Sequence, residues 1–226
     1  MATKVRIRRK DLRRPDEFVS TTLRIVRYAQ RHRRVLLVSA VAGCVLLGGL
    51  AWTTHVRRVQ RERENAVLAR AVSLHEAKKY GEARSALEGF RSEFGDSRLR
   101  ALAALYLGRV LLETGDAAGA RSVLEEAASG LEEAYLRQGA LVALGYAEEA
   151  LGDHASAAQH FFEASELPGG EAAVALLGAG RNFELAGRKE RALEAYREFL
   201  ARYGNLPERK FVEERVAWLE GAVGAS

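Results

Sequence analysis

The amino-acid sequence predicts an all-α protein. An N-terminal amphipathic helix and a transmembrane helix precede an α-solenoid of about four helix pairs and a C-terminal capping helix. Two observations predict this fold class. Twenty consecutive residues near the N-terminus carry no charge, and a pattern of small and bulky residues recurs every 35 to 37 residues over much of the remaining chain. The expected segments are a basic tail with the amphipathic helix (1–34), the transmembrane helix (35–54), a basic juxtamembrane linker or helix (55–63), the repeats (64–204), and the capping helix with a short tail (205–226).

The formal net charge of +5 hides two segments of opposite charge. Residues 1–34 contain twelve Lys and Arg against three acidic residues, a net charge of +9, whereas residues 55–226 contain 23 against 27, a net charge of −4. The high isoelectric point therefore belongs to the tail, and it gives no reason to expect that the large domain binds nucleic acid. The single cysteine, Cys44, excludes an intrachain disulfide and a cysteine-based zinc site.

The basic tail contains a segment that fits an amphipathic helix. Pro15 followed by two acidic residues is a good helix start. The apolar side of this helix would hold Phe18, Val19, Thr22, Leu23, Ile25, Val26 and Ala29, and the opposite side would hold Arg24, Arg27, Arg31 and Arg34. A basic amphipathic helix favours the surface of an anionic lipid leaflet. A helix docked on a cytosolic protein would show the same pattern.

Residues 35–54 fit a membrane span. Twenty helical residues, each adding 1.5 Å, cover the hydrocarbon core of about 30 Å. Ser39 and two threonines at the end are the main polar residues of the segment. Trp52 lies near the far end and Tyr28 lies just before the near end, at levels where aromatic side chains favour the lipid headgroups.

The motif VAGC, residues 41–44, also fits a lipoprotein cleavage site with Cys44 as the lipidated residue. Two features favour an uncleaved anchor instead: the basic region before the motif is 34 residues long, and the residues after Cys44 remain apolar. The small residues recur at i, i+4, i+8 and i+11, which would form a face for packing against the transmembrane helix of another membrane protein or of a second copy. This face consists of Ala40, Cys44, Gly48 and Ala51.

The distribution of basic residues favours a cytoplasmic N-terminus. The tail has twelve basic residues, whereas the fifteen positions after the span have four, and a long folded domain crosses a membrane largely regardless of its charge. Within fifteen positions on either side of the span the counts are five and four. The preference therefore depends on counting the whole tail.

The large domain contains a repeated pattern. Three stretches, 105–127, 142–164 and 177–199, each carry a glycine on a first helix, a turn glycine seven residues later, and then small and bulky residues at fixed offsets. The matching residues are Gly108, Gly145 and Gly180; Gly115, Gly152 and Gly187; Ala120, Ala157 and Ala192; Leu124, Phe161 and Tyr196; and Ala127, Ala164 and Phe199. A degenerate first copy has Ala83, Leu87 and Phe90 in phase but has Lys78 and Lys79 at the turn. Asp116 and Asp153, each after a turn glycine, are expected to cap the following helix.

This pattern resembles the tetratricopeptide repeat, whose unit is a pair of amphipathic helices. The resemblance implies that the first helix of each pair lines a concave surface that binds a partner protein. Carried over to this chain, the surface consists of Leu68, Val72, His75, Leu105, Arg109, Leu112, Val142, Tyr146, Glu149, Leu177, Arg181 and Glu184. Arg109, Tyr146 and Arg181 could grip an extended or helical peptide. Alternatively, several of these residues support packing between the repeats.

The sequence gives no sign of catalysis, of a bound cofactor or of a metal site. It contains no zinc-binding H-E-x-x-H, no phosphate-binding Walker loop and no G-x-S-x-G. The five histidines are expected at the surface, and adjacent glutamates such as Glu148 and Glu149 are expected on solvated faces. The chain is therefore expected to bind proteins rather than to be an enzyme.

A basic tail, one span and a row of degenerate repeats together resemble the ancillary SecYEG translocon subunit family of bacterial inner membranes. The resemblance implies a single-pass inner-membrane protein with a cytoplasmic N-terminus and a periplasmic repeat domain, linking the translocon to periplasmic chaperones. A second likeness concerns the repeat ends, Phe90-x-x-x-Phe94-Gly95-Asp96 and Phe199-x-x-x-Tyr203-Gly204-Asn205. These resemble repeats of envelope-assembly and cell-division coordinator proteins, and they imply the alternative of a scaffold in a secretion, motility or division machine.

Overall fold

A computed structural model of the protein describes the backbone of residues 17–223 and the side chains of residues 23, 24 and 26–222. The described residues form ten α-helices and contain no strand, which confirms the all-α class. They belong to two compact units, and the boundary between the units lies between Gln60 and Arg61.

The first unit contains α1 (Glu17–Arg31) and the beginning of α2 (Arg33–Glu76). The described side chains of α1 include the exposed Leu23 and Val26. A turn at His32 ends α1, so Arg34, which was expected on the basic side of this helix, belongs to α2 instead. Pro15 and the basic residues before it lie outside the described residues, as do the side chains of Phe18, Val19, Thr22 and Ile25.

Within the described part of the chain, α2 is the one helix long and apolar enough to cross a membrane. None of its apolar window is buried inside the protein, whereas the core helix of a soluble protein would be mostly buried. Ala40, Cys44, Gly48 and Ala51 are all exposed on this helix. The helix continues beyond the apolar segment to Glu76, so the expected span, juxtamembrane segment and first repeat helix form one element.

The second unit is a series of helix pairs. The end of α2 packs with α3 (Tyr80–Glu93), and the following pairs are α4 (Arg100–Glu113) with α5 (Ala117–Gly130), α6 (Ala134–Ala150) with α7 (His154–Glu166), and α8 (Ala172–Leu185) with α9 (Lys189–Tyr203). The last described helix, α10 (Arg209–Val223), packs on α9. From α3 onward consecutive helices contact each other, and among the first helices α4 contacts α6 and α6 contacts α8.

The turns within the pairs follow the expected chemistry. Gly115, Gly152 and Gly187 have positive φ angles of 81°, 77° and 75°, in the left-handed region that glycine adopts without strain. The side chains of Asp116 and Asp153 accept hydrogen bonds from the backbone N–H groups of Gly119 and Ser156, so both cap their helices as expected. In the first pair Lys78 takes the left-handed conformation with a φ of 57°. A side chain there costs about 1–2 kcal/mol relative to glycine.

A close contact between a glycine and a bulky side chain holds each of the later pairs together. A Cβ added at Gly108 or Gly180 would overlap the side chain of Leu124 or Tyr196 on the second helix of the same pair. A Cβ at Gly145 would lie 2.8 Å from the ring of Phe161. Only glycine therefore lets the two helices cross this closely.

An ionic cluster around one buried glutamate joins α5, α6 and α7. Glu148 is fully buried, its Oε2 atom lies 2.7 Å from Nδ1 of His160, and its Oε1 atom lies 3.8 Å from Nε of Arg121. The expectation that Glu148 lies on a solvated face is therefore wrong, whereas the side chain of His160 is partly exposed. Each makes a polar contact that compensates for part of the cost of burial.

Replacement of Gly145 by alanine should lower the free energy of unfolding by about 1–3 kcal/mol, because the new methyl group would overlap the ring of Phe161. Gly89 provides the control, since it is an exposed position within α3 where a Cβ meets nothing within 4 Å. Gly89→Ala should raise the free energy of unfolding by about 0.5–1 kcal/mol. Urea denaturation of the full chain in detergent, followed by circular dichroism, measures both. Stabilisation by both substitutions would contradict a tight crossing.

The cost of replacing His160 by glutamine should depend on pH. The hydrogen bond to Glu148 raises the pKa of His160 above its ordinary value; burial opposes this shift, and the charges of Glu148 and Glu163 add to it. A raised pKa means that the charged imidazole contributes its full stabilisation below the unfolded pKa of about 6.5 and loses it as the pH rises through the folded pKa.

We therefore expect a larger loss of unfolding free energy at about pH 5.5 than at about pH 9. Denaturation curves at both pH values, for the wild type and for His160→Gln, measure the difference. The pH dependence of this cost should largely disappear when Glu148 is already replaced by glutamine. A cost that is the same at both pH values would exclude a charged His160–Glu148 pair.

Candidate protein-binding surface

The first helices of the pairs line one surface of the second unit. This surface corresponds to the concave surface that the repeat resemblance implies and is here called the concave face; it is formed by the end of α2 and by α4, α6, α8 and α10. Direct contacts link α4 to α6 and α6 to α8, and a hydrogen bond from Arg215 on α10 to Glu184 on α8 extends the series. The expected surface residues lie on these helices.

An apolar groove lies on this face between the end of α2 and α4. Its volume is about 330 Å³, and we call it the N-terminal groove. Its apolar lining consists of Leu68, Ala69, Val72, Leu99, Leu102 and Tyr106, and its polar lining consists of Asn65, Ser73 and Glu76. Nearby, the ring of His75 lies 6.1 Å from that of Tyr106 and 6.0 Å from that of Tyr80. An apolar side chain of a partner would be removed from water here.

The apolar residues expected on the concave face divide into two groups. Leu68, Leu105 and Val142 are buried within the two hydrophobic cores, although Leu68 also forms part of the wall of the N-terminal groove. Val72, Leu112 and Leu177 are partly exposed. For Leu105 and Val142 the structure therefore favours the packing role that the sequence left open.

The expected arginines are already paired within the chain. Nη2 of Arg109 lies 3.4 Å from Oε1 of Glu171, and Nη2 of Arg181 lies 2.6 Å from Oε2 of Glu149. Nε of Arg215 lies 3.1 Å from Oε1 of Glu184. These partly exposed pairs are worth little stability, but two of them engage the guanidinium groups of Arg109 and Arg181, which were expected to grip a partner.

Tyr146 lies among these charges at the centre of the face. Its side chain is exposed, and its ring makes an edge contact with Phe161 at a centroid distance of 5.0 Å. Partial burial raises the pKa of its hydroxyl; Arg181 opposes this shift, and Glu149 and Glu171 add to it. The hydroxyl is therefore protonated at neutral pH and can donate or accept a hydrogen bond.

The surface offers apolar side chains, paired charges and one tyrosine hydroxyl to a bound protein. Within residues 17–223, no cluster of three or more His, Cys, Asp or Glu could hold a metal ion. The surface residues expected from the repeat positions do not include Leu102 and Tyr106, which line the N-terminal groove, or Glu171, which pairs with Arg109. The apolar residues of α4 surround the helix, so its sequence alone does not show which of them face the groove.

Comparisons with known proteins agree with this architecture. A crystal structure of the nearly identical TPR-like repeats of a putative kinesin light chain from Podosopora anserina has 18% sequence identity, with coverage of 72% of this chain and 88% of that chain and a TM-score of 0.55. A crystal structure of MamA protein has 17% identity, with coverage of 72% and 87% and a TM-score of 0.57. Another of MamA has 16% identity, with coverage of 68% and 84% and a TM-score of 0.56. At these identities the likeness shows the fold. No curated protein matches the chain.

The family model described as a tetratricopeptide repeat-like domain matches residues 27–220, which is most of the chain and includes the apolar part of α2. Repeats of this kind are typically scaffolds that bind proteins on an extended concave surface without catalysing a reaction. The helix pairs, the turn glycines and the concave face all agree with the match, and this chain belongs to the tetratricopeptide repeat-like domain family.

Proposed function

We propose that this protein is a single-pass membrane-anchored adaptor that binds protein partners on its concave face. The observation that carries the proposal is the N-terminal groove, because its apolar walls are open to a partner while the neighbouring arginines are neutralised within the chain. An apolar segment of a partner would bury its side chains there, and this burial would supply most of the binding free energy.

The membrane part of the proposal places the apolar segment of α2 across a bacterial inner membrane. The N-terminus would be cytoplasmic and the repeat unit periplasmic. This placement is supported by the exposed apolar side chains of α2 and by the basic tail before them. Arg24, Arg27 and Arg31 are exposed on α1, where they could contact anionic lipid headgroups. Ala40, Cys44, Gly48 and Ala51 would contact a neighbouring transmembrane helix.

For the partner, we propose the protein translocon and periplasmic chaperones, on the basis of the resemblance in architecture. The alternative is a scaffold subunit of a secretion, motility or division machine. It rested on the aromatic repeat ends, whose rings pack against each other: the centroids of Phe90 and Phe94 lie 5.0 Å apart, and those of Phe199 and Tyr203 lie 6.0 Å apart. Phe90, Phe94 and Phe199 are buried, so packing alone accounts for this motif.

The proposed topology predicts the side from which each unit can be labelled. Ser122 is exposed on α5, so a cysteine at this position, in a chain where Cys44 is replaced by alanine, should react with a membrane-impermeant maleimide in spheroplasts. A cysteine at Thr3 should react only after lysis. The amount of label on each purified chain is the measurement. Labelling of Thr3→Cys but not of Ser122→Cys in intact spheroplasts would reverse the proposed orientation.

The proposed binding surface predicts where a partner can be crosslinked. With p-benzoylphenylalanine in place of Leu102, irradiation of cells should give a protein adduct, because this side chain faces the N-terminal groove. The same substitution at Ser122, on a second helix, should not give that adduct. Mass spectrometry of the adduct then distinguishes translocon subunits and chaperones from components of another envelope machine.

A charge placed in the groove should remove the adduct. Val72→Asp puts a carboxylate in the groove wall and should reduce the adduct at position 102 by about tenfold, because the partner would have to desolvate it. Val123→Asp changes a partly buried valine on α5, outside the groove, and controls for general destabilisation. Equal adducts at positions 102 and 122, or no effect of Val72→Asp in a folded chain, would exclude the groove as the binding surface.

A further inference from the structure

The last described helix, α10, presents three different faces. Val212 and Leu219 are fully buried against the preceding helices. A second face carries Glu213, Ala217 and Glu220, at the positions where α8, 37 residues earlier, carries Leu176, Gly180 and Phe183. In α8 this face packs against the next helix, where Gly180 contacts Tyr196 of α9. In α10 the two glutamates make the equivalent face polar, and a helix that closes a repeat array needs such a polar outer face to remain soluble.

The third face of α10 is aromatic. Phe211 and Trp218 are 53% and 54% exposed, and with Arg215 they follow the spacing i, i+4, i+7, so they share one side of the helix. Arg215 fixes the direction of this side, because it bonds to Glu184 of α8 on the concave face and its guanidinium carbon lies 4.7 Å from the ring centroid of Trp218. Phe211 and Trp218 therefore lie on the side of α10 that belongs to the concave face and not on the polar face.

The repeat register supports this placement. Trp218 is the fifth member of a column of equivalent positions on the first helices, separated by 37, 37, 35 and 37 residues. The column consists of Val72, Arg109, Tyr146, Arg181 and Trp218. The first four members were expected on the concave face, whereas Trp218 was expected only as part of the cap. Its exposed indole would be an unusual feature of a helix whose role is only to close the array.

Glu214 gives this aromatic surface a charge. It lies three residues after Phe211 and four before Trp218, so it is next to both rings. Its side chain is exposed, and among the side chains that the structure describes it has no cationic partner. The nearest arginines, Arg215 and Arg209, are paired with Glu184 and Glu213, and the exposed Lys210, one turn before Glu214, forms no ion pair with it. The surface therefore combines two apolar anchors with one exposed carboxylate that forms no ion pair within the described part of the chain.

We propose that Phe211, Glu214 and Trp218 form a second docking site on the concave face, which binds a polypeptide segment with two apolar side chains on either side of a lysine or arginine. The apolar side chains cover the two rings, and the cation pairs with Glu214. Phe211 and Trp218 are seven residues apart, about 10.5 Å along the helix, so a helical segment with apolar residues at i and i+7 and a basic residue at i+3 matches their spacing. The inference rests on the proposed function, because it places the same class of partner on the same face.

Synthetic peptides test the site directly on the full chain in lipid nanodiscs. One helical peptide has leucine at i and i+7 and lysine at i+3; a second has glutamate instead of the lysine; a third has serine instead of both leucines. The protein has two tryptophans, Trp52 and Trp218, so Trp52→Phe leaves Trp218 as the fluorescent reporter. The lysine peptide should shift the emission of Trp218 to shorter wavelength and bind about fivefold more tightly than the glutamate peptide. The serine peptide should bind at least tenfold more weakly.

Charge reversal supplies the decisive comparison. Glu214→Lys should invert the preference, so that the glutamate peptide binds more tightly than the lysine peptide. Glu213→Lys makes the same change one residue away on the polar face and should leave the preference unchanged. Trp218→Ala, which changes an exposed side chain, should weaken binding of the lysine peptide at least tenfold.

Three results would overturn the inference. The first is an unchanged Trp218 emission, and the second is no binding of the lysine peptide up to about 1 mM. The third is that the lysine and glutamate peptides bind with equal affinity, both to the wild type and to Glu214→Lys. The crosslink at position 102 distinguishes this failure from failure of the proposed function. If the adduct at position 102 persists in Trp218→Ala while the peptides fail these tests, the N-terminal groove remains the binding surface and only the site on α10 is lost.

Discussion

The array depends on one steric constraint, the contact between a small residue of each first helix, which is glycine in the three later pairs and Ala71 in the first, and a bulky side chain of the second helix. Gly145 allows α6 and α7 to approach until the ring of Phe161 fills the space between them. The same ring also meets Gly178 of α8, since a Cβ there would lie 2.9 Å from it. One side chain thus sets both the crossing within a pair and the approach of the next pair. Because neighbouring pairs are fixed in this way, their first helices line one continuous face.

Much of this arrangement could be predicted because it is local and periodic. The helix pairs, the left-handed turn glycines and the capping aspartates depend on residues a few positions apart, and a repeat shows them several times. The buried Glu148 could not be found in this way. Its partners, Arg121 and His160, come from the two neighbouring helices, and an adjacent pair of glutamates is in most helices a solvated feature.

The candidate surface was predicted less well than the fold, and the reason is also physical. The position of a residue in the repeat predicts which helix carries it, but the exposure of that residue depends on the size of the neighbouring side chains. Leu105 and Val142 occupy equivalent positions and are buried, whereas Tyr146, one turn beyond Val142, is exposed. Trp218 could have been found from its distance of 37 residues from Arg181, but a final helix that packs through Val212 and Leu219 reads first as a cap.

The charges on the concave face suggest how specificity is divided along it. In the middle, the pairs Arg109–Glu171 and Arg181–Glu149 satisfy one another, so a charged partner gains little there unless it displaces a carboxylate that is already held close. At the two ends the apolar surface is open, and Glu76 and Glu214 supply negative charge beside it. Apolar contacts at the ends would then provide affinity, and the two glutamates would select segments that carry a basic residue next to their apolar ones.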